Sequence, residues 1–263
     1  MPETEKGYLI TPEELASWIL LETEDLLVLN KPGLVVCHPS KFGPWSSLVG
    51  ACREFCGLDP MHLVFRLDRE TSGVVVLAKN KAAAGRFQGA VERRNVHKSY
   101  IAILEGELSE IVEVDKPLGR DVESVVFSKD TVTDAEGSKG AQTRFEPVVC
   151  THGYTIVKVY PKTGRKHQIR AHAQWLGTSV VGDKIYGPDA RLFLQFIETG
   201  WTPELAKKLG LKRQALHAMR IAFDFPGAPE AFNAPVPQDM ELFCQERMNL
   251  SLAEILQLET GEV

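Results

Sequence analysis

The strongest local constraint on this chain is an acidic residue between two arginines, followed at once by a turn and an apolar strand. The segment reads Arg66-Leu67-Asp68-Arg69-Glu70-Thr71-Ser72-Gly73, and the apolar run Val74 to Leu77 comes next. A carboxylate flanked by cations stays ionised and is able to act as a nucleophile or a base. The small residues before the run allow a sharp backbone reversal. The pattern predicts that Asp68 is presented at a cleft, although such a segment alone is more typical of a salt-bridged surface turn.

Further motifs follow in a fixed order along the chain. They are Lys98-Ser99-Tyr100, Thr163-Gly164-Arg165-Lys166-His167-Gln168-Ile169-Arg170-Ala171-His172, Gly182-Asp183-Lys184-Ile185-Tyr186-Gly187 and Leu216-His217-Ala218. Together with the Asp68 segment, they resemble the RluA-type pseudouridine synthases, which isomerise uridines in ribosomal and transfer RNA. One short motif is weak evidence, but five motifs in order make a specific pattern.

The resemblance spans roughly Asp25 to Pro226. It includes Asn30-Lys31-Pro32-Gly33 and Lys116-Pro117-Leu118-Gly119. One residue departs from the family pattern, because Phe65 stands where the family usually has His. Asp68 itself is retained, so this change does not predict a loss of activity.

The spacing of apolar residues and of turn signals predicts an α+β fold. Thr11-Pro12-Glu13-Glu14 reads as a capping box at the start of the first predicted helix. The predicted helices are Pro12 to Leu20, Ser46 to Phe55, Lys81 to Arg94, Arg165 to Leu176, Thr202 to Leu209 and a tail from Gln238. The predicted strands are Asp25 to Asn30, Leu34 to Cys37, Val64 to Leu67, Val74 to Lys79, Val96 to Glu105, Ala141 to Cys150, Gly153 to Tyr160 and Gln214 to Phe225. The turn Thr151-His152-Gly153 joins two of these strands, and the polar segment Glu107 to Lys139 is expected to form a hairpin with mobile loops. Several strands are joined by short turns, which indicates a mixed, mainly antiparallel sheet with flanking helices.

The resemblance implies the pseudouridine synthase fold, with one catalytic cleft. No linker divides the chain convincingly. We therefore predict an N-terminal extension over residues 1–24, a catalytic domain over 25–226 and a helical C-terminal tail over 227–263 that packs on the same domain. The small N-terminal RNA-binding domain of some family members is expected to be absent.

The resemblance also implies a role for each of seven residues. Asp68 is the carboxylate that attacks the ribose, Tyr100 stacks on the uracil and is proposed as the base, and Arg170 pairs with the aspartate. Leu216 lines the uracil pocket, while Arg66, Arg165 and His167 contact RNA or hold the site. Plain packing in the core or in the sheet also accounts for Leu216 and Tyr100, and a solvated surface charge also accounts for Arg66.

The implied isomerisation involves no redox change and no external group, so that no cofactor and no metal are expected. Cys52 and Cys56 with His62 offer an imaginable metal site. No second cysteine pair follows, and the segment reads as an amphipathic helix, so buried core cysteines are the better interpretation.

The charge distribution favours RNA as the partner despite a net charge of −5. Lys79 to Lys98 contains six Lys or Arg against one Glu, and Lys158 to His172 contains five and no acid. A basic face on an acidic protein is able to contact phosphates. No apolar run approaches the length of a membrane span and no signal peptide is evident, so a cytoplasmic location without membrane contact is expected. A monomer is the simpler expectation for a one-domain protein that modifies RNA.

Two other functions remain open at this point. The first is an RNA-binding relative that has lost catalysis, with Phe65 as its only support. The second is a glycosidase with two carboxylates, which needs a second acid facing Asp68. Glu70 and Asp183 are the candidates, but nothing in the sequence positions either of them.

Overall fold

The computed structural model describes residues 8–38, 42–229 and 231–260, with side chains up to residue 257. It divides into two compact units, Met1–Lys98 with Ala218–Pro235 and Ser99–His217 with Val236–Val263. Two of the three divisions between the units, after Lys98 and after His217, fall inside strands. The predicted boundaries at residues 24 and 226 follow a different division and stay a prediction. Residues 1–7 of the predicted extension and 261–263 of the predicted tail lie outside the described residues.

The secondary structure is mixed, with a large, mainly antiparallel sheet, so that the predicted α+β class is confirmed. The helices are α1 Pro12–Ser17, α2 Leu48–Cys56, α3 Lys81–Glu92, α4 Gln168–Trp175, α5 Arg191–Thr199, α6 Pro203–Leu209, α7 Gln238–Phe243 and α8 Leu252–Thr260. The strands are β1 Ile19–Glu22, β2 Leu26–Lys31, β3 His62–Leu63, β4 Ser72–Ala78, β5 Val96–Glu105, β6 Val112–Asp115, β7 Leu118–Arg120, β8 Asp130–Val132, β9 Gln142–Thr151, β10 Tyr154–Pro161, β11 Leu216–Phe223 and β12 Phe232–Asn233.

In the first unit, β2 and β4 form the central antiparallel pair, with Leu26 opposite Ala78 and Lys31 opposite Gly73. Strand β1 extends the sheet beyond β2, β3 pairs with β4, and β12 pairs with β11. Every residue of β4 is buried. This burial explains why the strand reads as a continuous apolar run, since a strand covered on both faces has no reason to alternate.

In the second unit, antiparallel pairing runs from β5 through β10 and β9 to β6. Strands β9 and β10 are joined by the predicted turn at His152 and Gly153, whose φ angles are 53° and 77°. Two consecutive positive φ angles match the twist of a tight hairpin. Strands β7 and β8 form a separate two-stranded ribbon, the β7–β8 hairpin, which confirms the predicted hairpin within Glu107 to Lys139.

Three predicted elements are wrong in extent or in type. Helix α1 starts with the predicted capping box of Thr11 and Glu14, but it ends at Ser17 because the next residues pair with β2. The predicted strand Leu34 to Cys37 is absent, since the carbonyls of Val36 and Cys37 accept the amides of Leu48 and Val49 at the start of α2.

The predicted strand Val64 to Leu67 also differs. Val64 donates one backbone hydrogen bond to Val76, and the chain then leaves the sheet to form the Asp68 turn. Helix α5 was not predicted. Its N-cap is Ala190, which makes no side-chain capping bond, so the sequence carries no start signal there.

Within the described residues, no helix is both long enough and apolar enough to cross a membrane. Among the same residues, no three or more His, Cys, Asp or Glu side chains are arranged to hold a metal ion. Cys52 is buried in α2 and Cys56 is half-buried at its last turn.

Candidate active site

The Asp68 turn connects β3 to β4 in the first unit. The carbonyl of Asp68 accepts the amide of Thr71 at 3.2 Å, which closes the turn, and Ser72 begins β4. Asp68 is half-buried, whereas Arg66 and Arg69 are exposed. The turn therefore carries a half-buried acid between two exposed cations, and its predicted presentation at a cleft stays a prediction.

A buried lysine anchors this turn. Lys31 is 0% exposed, and its Nζ donates to the carbonyls of Pro32 at 2.9 Å, Val35 at 3.0 Å and Arg69 at 3.1 Å. A buried ammonium is tolerated only where such partners replace water. Because Arg69 follows Asp68 directly, Lys31 holds the backbone of the turn on its C-terminal side.

A thiol holds the other side of the turn. The Sγ of Cys37 donates to the carbonyl of Leu67 at 3.4 Å, and burial raises the pKa of this thiol. The backbone on both sides of Asp68 is therefore fixed by side chains from one short segment. The sequence predicts no role for Lys31 or Cys37, although Lys31 belongs to Asn30-Lys31-Pro32-Gly33, one of the segments included in the family resemblance.

A glycine fixes the end of the turn against a neighbouring strand. Gly73 has a φ angle of 112°, which side chains rarely adopt. A Cβ atom built there would lie 2.2 Å from the carbonyl oxygen of Ala218, in β11. Only glycine permits this approach of two backbones, so the motif needs Gly73 for geometry.

The residue that departs from the family pattern has a defined partner. The Nζ of Lys98 lies 4.8 Å from the centre of the Phe65 ring. Burial lowers the pKa of Lys98 to about 8. Phe65 also packs against the apolar core of the first unit. An ammonium over an aromatic face is a favourable pair, so Phe65 is an integral part of the fold around the Asp68 turn.

The second unit contains Tyr100, Leu216 and Arg170. Tyr100 lies in β5 opposite Val159 and is 8% exposed, and Leu216 begins β11 and is 3% exposed. The carbonyl of Leu216 accepts a hydrogen bond from Arg213, whose guanidinium also binds Asp239. Both candidate pocket residues therefore lie on strands and are buried.

Arg170 forms a buried ion pair with Asp183. Its Nε and Nη2 donate to the two carboxylate oxygens at 2.5 and 2.9 Å. The amides of Ile185 and Tyr186 donate to the same carboxylate, each at 2.9 Å. Burial by itself would raise the pKa of Asp183, but the charge and hydrogen bonds of Arg170 lower it overall. Sequence reasoning had Arg170 paired with Asp68, which stays a prediction, and it missed the role of Asp183.

The basic motif ahead of α4 divides into an exposed part and a buried part. Arg165 is exposed and donates to the carbonyl of Gly140 at 3.1 Å, and Lys166 pairs with Asp130 at 3.1 Å. His167 has a φ angle of 56° and its Nδ1 lies 3.1 Å from the hydroxyl of Tyr186. The left-handed backbone at His167 makes α4 begin at Gln168, three residues after the predicted start.

His172, in contrast, is 0% exposed. Its Nε2 lies 3.0 Å from the carbonyl of Lys116, and its Nδ1 lies 2.8 Å from the hydroxyl of Thr143. Because a carbonyl only accepts, Nε2 carries the proton and Nδ1 accepts from Thr143. Burial lowers the pKa of His172 below its ordinary value. This residue orients α4, which carries Arg170.

The predicted site residues are thus divided between the two units. Arg66 and Asp68 lie in the first unit, and Tyr100, Arg165, His167, Arg170 and Leu216 lie in the second. Within the second unit, Tyr186 contacts both His167 and Arg170. The positions of these residues do not test their roles, so all seven roles stay predictions.

Comparison with known proteins places the chain in one family. Residues 25–175 match the family model described as RNA pseudouridylate synthase. The ribosomal large subunit pseudouridine synthase D of Vibrio vulnificus strain CMCP6 is 34% identical over 229 residues, covering 84% of this chain and 68% of that protein. An uncharacterized RNA pseudouridine synthase of Chlorobaculum parvum is 35% identical over 252 residues, covering 90% of this chain and 76% of that protein.

Solved structures support the same fold. The human RNA pseudouridylate synthase domain containing 4 superposes with a TM-score of 0.72 at 24% identity, covering 92% of this chain and 96% of that one. The human RNA pseudouridylate synthase domain containing 1 superposes with a TM-score of 0.64 at 23% identity, covering 95% of this chain and 99% of that one. By its family match and its relatives, this chain belongs to the RNA pseudouridylate synthases, a family of isomerases.

Proposed function

We propose that this protein converts specific uridines to pseudouridine in structured RNA, with Asp68 as the attacking carboxylate. Family membership and fold support uridine isomerisation in RNA. The observation that carries the assignment to Asp68 is the turn itself, in which Lys31 and Cys37 hold the carbonyls on either side of a half-buried carboxylate. A catalytic group needs such fixed supports to keep a productive geometry.

The proposed reaction breaks the bond between ribose C1′ and N1 and forms a bond between C1′ and C5. Asp68 attacks the ribose, the detached uracil rotates, and the base rejoins through C5. A proton leaves C5 and N1 takes one up, so that no external group is added. Tyr100 stacks on the uracil and serves as the base, Leu216 contributes an apolar wall, and Arg170 stabilises the aspartate. A uridine in a folded RNA is extruded before it reaches such a pocket.

We propose large-subunit ribosomal RNA as the first substrate to test, with transfer RNA as the second. Relatives from Vibrio vulnificus, Vibrio parahaemolyticus and Zymomonas mobilis carry the name ribosomal large subunit pseudouridine synthase D. The shared motifs do not separate the two kinds of RNA, because enzymes for both carry them. The names of these relatives are therefore the reason to test ribosomal RNA first. Cytoplasmic location and a monomeric state stay predictions from the sequence.

Exposed cations and one exposed aromatic support a role in RNA contact. Arg66 and Arg165 are exposed, and His167, which closely follows Arg165 in the chain, is half-buried. In the β7–β8 hairpin, Phe127 is 76% exposed and the guanidinium of Arg120 lies 3.9 Å from the centre of its ring. Arginine and aromatic faces are the groups on which unpaired RNA bases stack. We propose that residues 119–139 and 191–213 contribute to the choice of RNA.

The test is a pseudouridine map of total RNA from cells with and without the gene, rescued by wild type, Asp68→Asn or Asp59→Asn. A site that depends on the gene should return with wild type and with Asp59→Asn, but not with Asp68→Asn. Asp59→Asn is a matched control because its carboxylate is largely exposed and pairs with Arg53. Purified Asp68→Asn should still bind the RNA with an affinity within about twofold of wild type, since it removes one charge and no phosphate contact.

Other results would favour the remaining hypotheses. A map unchanged by deletion, together with RNA binding, would favour the relative that has lost catalysis. Full rescue by Asp68→Asn would contradict the assignment of the nucleophile. The glycosidase hypothesis loses one candidate acid, because Asp183 is buried and bound by Arg170 and two amides. Turnover of a neutral oligosaccharide without RNA would be needed to revive it.

A further inference from the structure

Tyr186 connects three parts of the second unit through different atoms. Its side chain is 0% exposed, and its backbone amide donates to Asp183. The Cζ atom of Arg170 lies 4.9 Å from the centre of its ring. Its hydroxyl lies 3.0 Å from the amide nitrogen of Asp130 and 3.1 Å from Nδ1 of His167. One buried phenol thus contacts the Arg170–Asp183 pair, the motif ahead of α4 and the first residue of β8.

The hydrogen-bond partners define where the proton of the hydroxyl lies. The amide of Asp130 is a donor, so the hydroxyl oxygen accepts there. Its own proton then needs an acceptor, and Nδ1 of His167 is in range. Burial raises the pKa of Tyr186, so that the phenol keeps its proton. This arrangement leaves Nδ1 of His167 without a proton and puts the proton of the neutral imidazole on Nε2.

The two hydroxyl contacts join segments that are distant along the chain. Asp130 begins β8 and also pairs with Lys166, while the Nζ of Lys129 lies 5.6 Å from the centre of the Tyr186 ring. His167 is the N-cap of α4, the helix that carries Arg170. The hydroxyl therefore fixes the β7–β8 hairpin relative to the start of α4, and the ring fixes the guanidinium.

We propose that Tyr186 is a positioning residue for the reaction, whose hydroxyl donates to Nδ1 of His167, which leaves the N–H of this imidazole on Nε2, and ties the β7–β8 hairpin to α4. The consequence for catalysis rests on the proposed function, whereas the consequence for His167 and the hairpin does not. His167 then presents an N–H donor, which is the form suited to a phosphate or a uracil carbonyl. The ring contact with Arg170 is separate and does not need the hydroxyl.

The test replaces Tyr186 with Phe, which removes the hydroxyl and keeps the ring. Tyr154→Phe is the matched control, because its ring packs on Phe243 and no hydroxyl contact of Tyr154 is present in the described part of the chain. The nitrogen-15 shifts of the imidazole at pH 7.5 should show Nδ1 of His167 losing its acceptor bond only in Tyr186→Phe. Hydrogen exchange at the amide of Asp130 should accelerate on the order of 2- to 10-fold, as expected for one lost hydrogen bond.

Steady-state kinetics on the RNA found by the pseudouridine map supply the second measurement. We expect Tyr186→Phe to raise KM on the order of 2- to 10-fold, the effect of one hydrogen bond, and to change kcat less, because the ring still holds Arg170. His167→Asn is the companion variant, since Asn tolerates the left-handed backbone at this position. If both changes act through one hydrogen bond, kcat/KM of the double variant will be no lower than kcat/KM of the less active single variant.

Several results would overturn the proposal. Unchanged shifts of His167 and unchanged exchange at Asp130 in Tyr186→Phe would show that the hydroxyl orients neither group. Additive effects of Tyr186→Phe and His167→Asn on kcat/KM would show independent roles. Changed nitrogen-15 shifts of His167 together with unchanged kcat and KM in Tyr186→Phe would show that Tyr186 has no positioning role in the reaction. An inactive wild type would refute the proposed function, and the two spectroscopic measurements would then decide the hydroxyl's role alone.

Discussion

At the scale of single residues, this protein stabilises charges inside the fold with a small number of paired contacts. Lys31 replaces its hydration shell with three backbone carbonyls, and Asp183 does the same with a guanidinium and two amides. Burying a charge without such partners is costly. Both residues belong to motifs that the sequence made visible, but their role as supports for Asp68 and Arg170 lies in contacts that are distant along the chain.

The ion pair of Arg170 and Asp183 leads to a stability prediction. We expect Asp183→Asn to lower the free energy of unfolding by about 3–5 kcal/mol, since it removes the buried negative charge to which the Arg170 guanidinium and two backbone amides donate. Urea unfolding of the purified variant measures this loss. Asp239→Asn is the matched control, because Asp239 also binds an arginine through both oxygens but is 40% exposed. Equal losses in the two variants would contradict the argument from burial.

At the scale of elements, α4 is positioned by polar contacts at both ends of its buried face. Gln168 binds Thr143 and the carbonyl of Gln142, and His172 binds Thr143 and the carbonyl of Lys116. The hydroxyl of Thr143 donates to His172, so its oxygen is left to accept from Gln168. A protonated His172 would place a donor opposite the Thr143 proton and disrupt this arrangement.

This contact makes the stability of the second unit depend on pH. The pKa of His172 in the fold is lowered by burial from its ordinary value of 6.5. Between these two values the unfolded chain binds more protons than the fold, so stability rises with pH. The contribution is complete above the ordinary value and is lost as pH falls toward the lowered pKa.

We therefore expect wild type to lose free energy of unfolding between pH 7.5 and pH 5.5. His172→Gln should be less stable than wild type at pH 7.5, and the difference between them should shrink at pH 5.5. Urea titrations of both proteins at the two pH values measure this. The exposed His152, at the tip of the β9–β10 hairpin, supplies the control His152→Asn. A constant difference between wild type and His172→Gln would argue against a buried neutral imidazole.

At the scale of the whole molecule, an acidic protein carries local concentrations of positive charge. The net charge is −5, yet both basic segments contain motif residues, and the segment Lys158 to His172 contains the candidate RNA contacts Arg165 and His167. Each phosphate that a cation neutralises releases counterions, which makes binding salt-dependent. We therefore expect the overall acidity to limit non-specific binding, and we propose that the basic segments supply phosphate contacts.

A single exposed arginine should therefore change the salt dependence of RNA binding by a predictable amount. We expect Arg165→Gln to reduce the slope of log affinity against log salt by about 1. Filter binding or fluorescence anisotropy from low to moderate salt measures the slope. Arg53→Gln is the control, since Arg53 lies outside the basic segments and pairs with Asp59. An unchanged slope in Arg165→Gln would remove this residue from the RNA interface.

The sequence by itself determined those features that depend on local hydrogen bonds and short-range periodicity. The capping box of Thr11 and Glu14, the β9–β10 hairpin with its glycine turn, strand β5 and helix α3 were predicted nearly as they occur. The ordered motifs also indicated the family, since five short patterns with compatible gaps rarely coincide by chance. Each of these features is specified by residues that are close together in the sequence, so it can be read without the tertiary structure.

Only the tertiary structure decided which side chains support the site. Lys31 reaches Arg69 across 38 positions, and Tyr186 reaches Asp130 across 56. Helix α1 ends before its predicted last residue because the following residues pair with β2, and Leu34 to Cys37 form no strand because the carbonyls of Val36 and Cys37 accept amides at the start of α2. Long-range partners compete for the same donors and acceptors that local propensity uses, and this competition is settled only when the chain is packed.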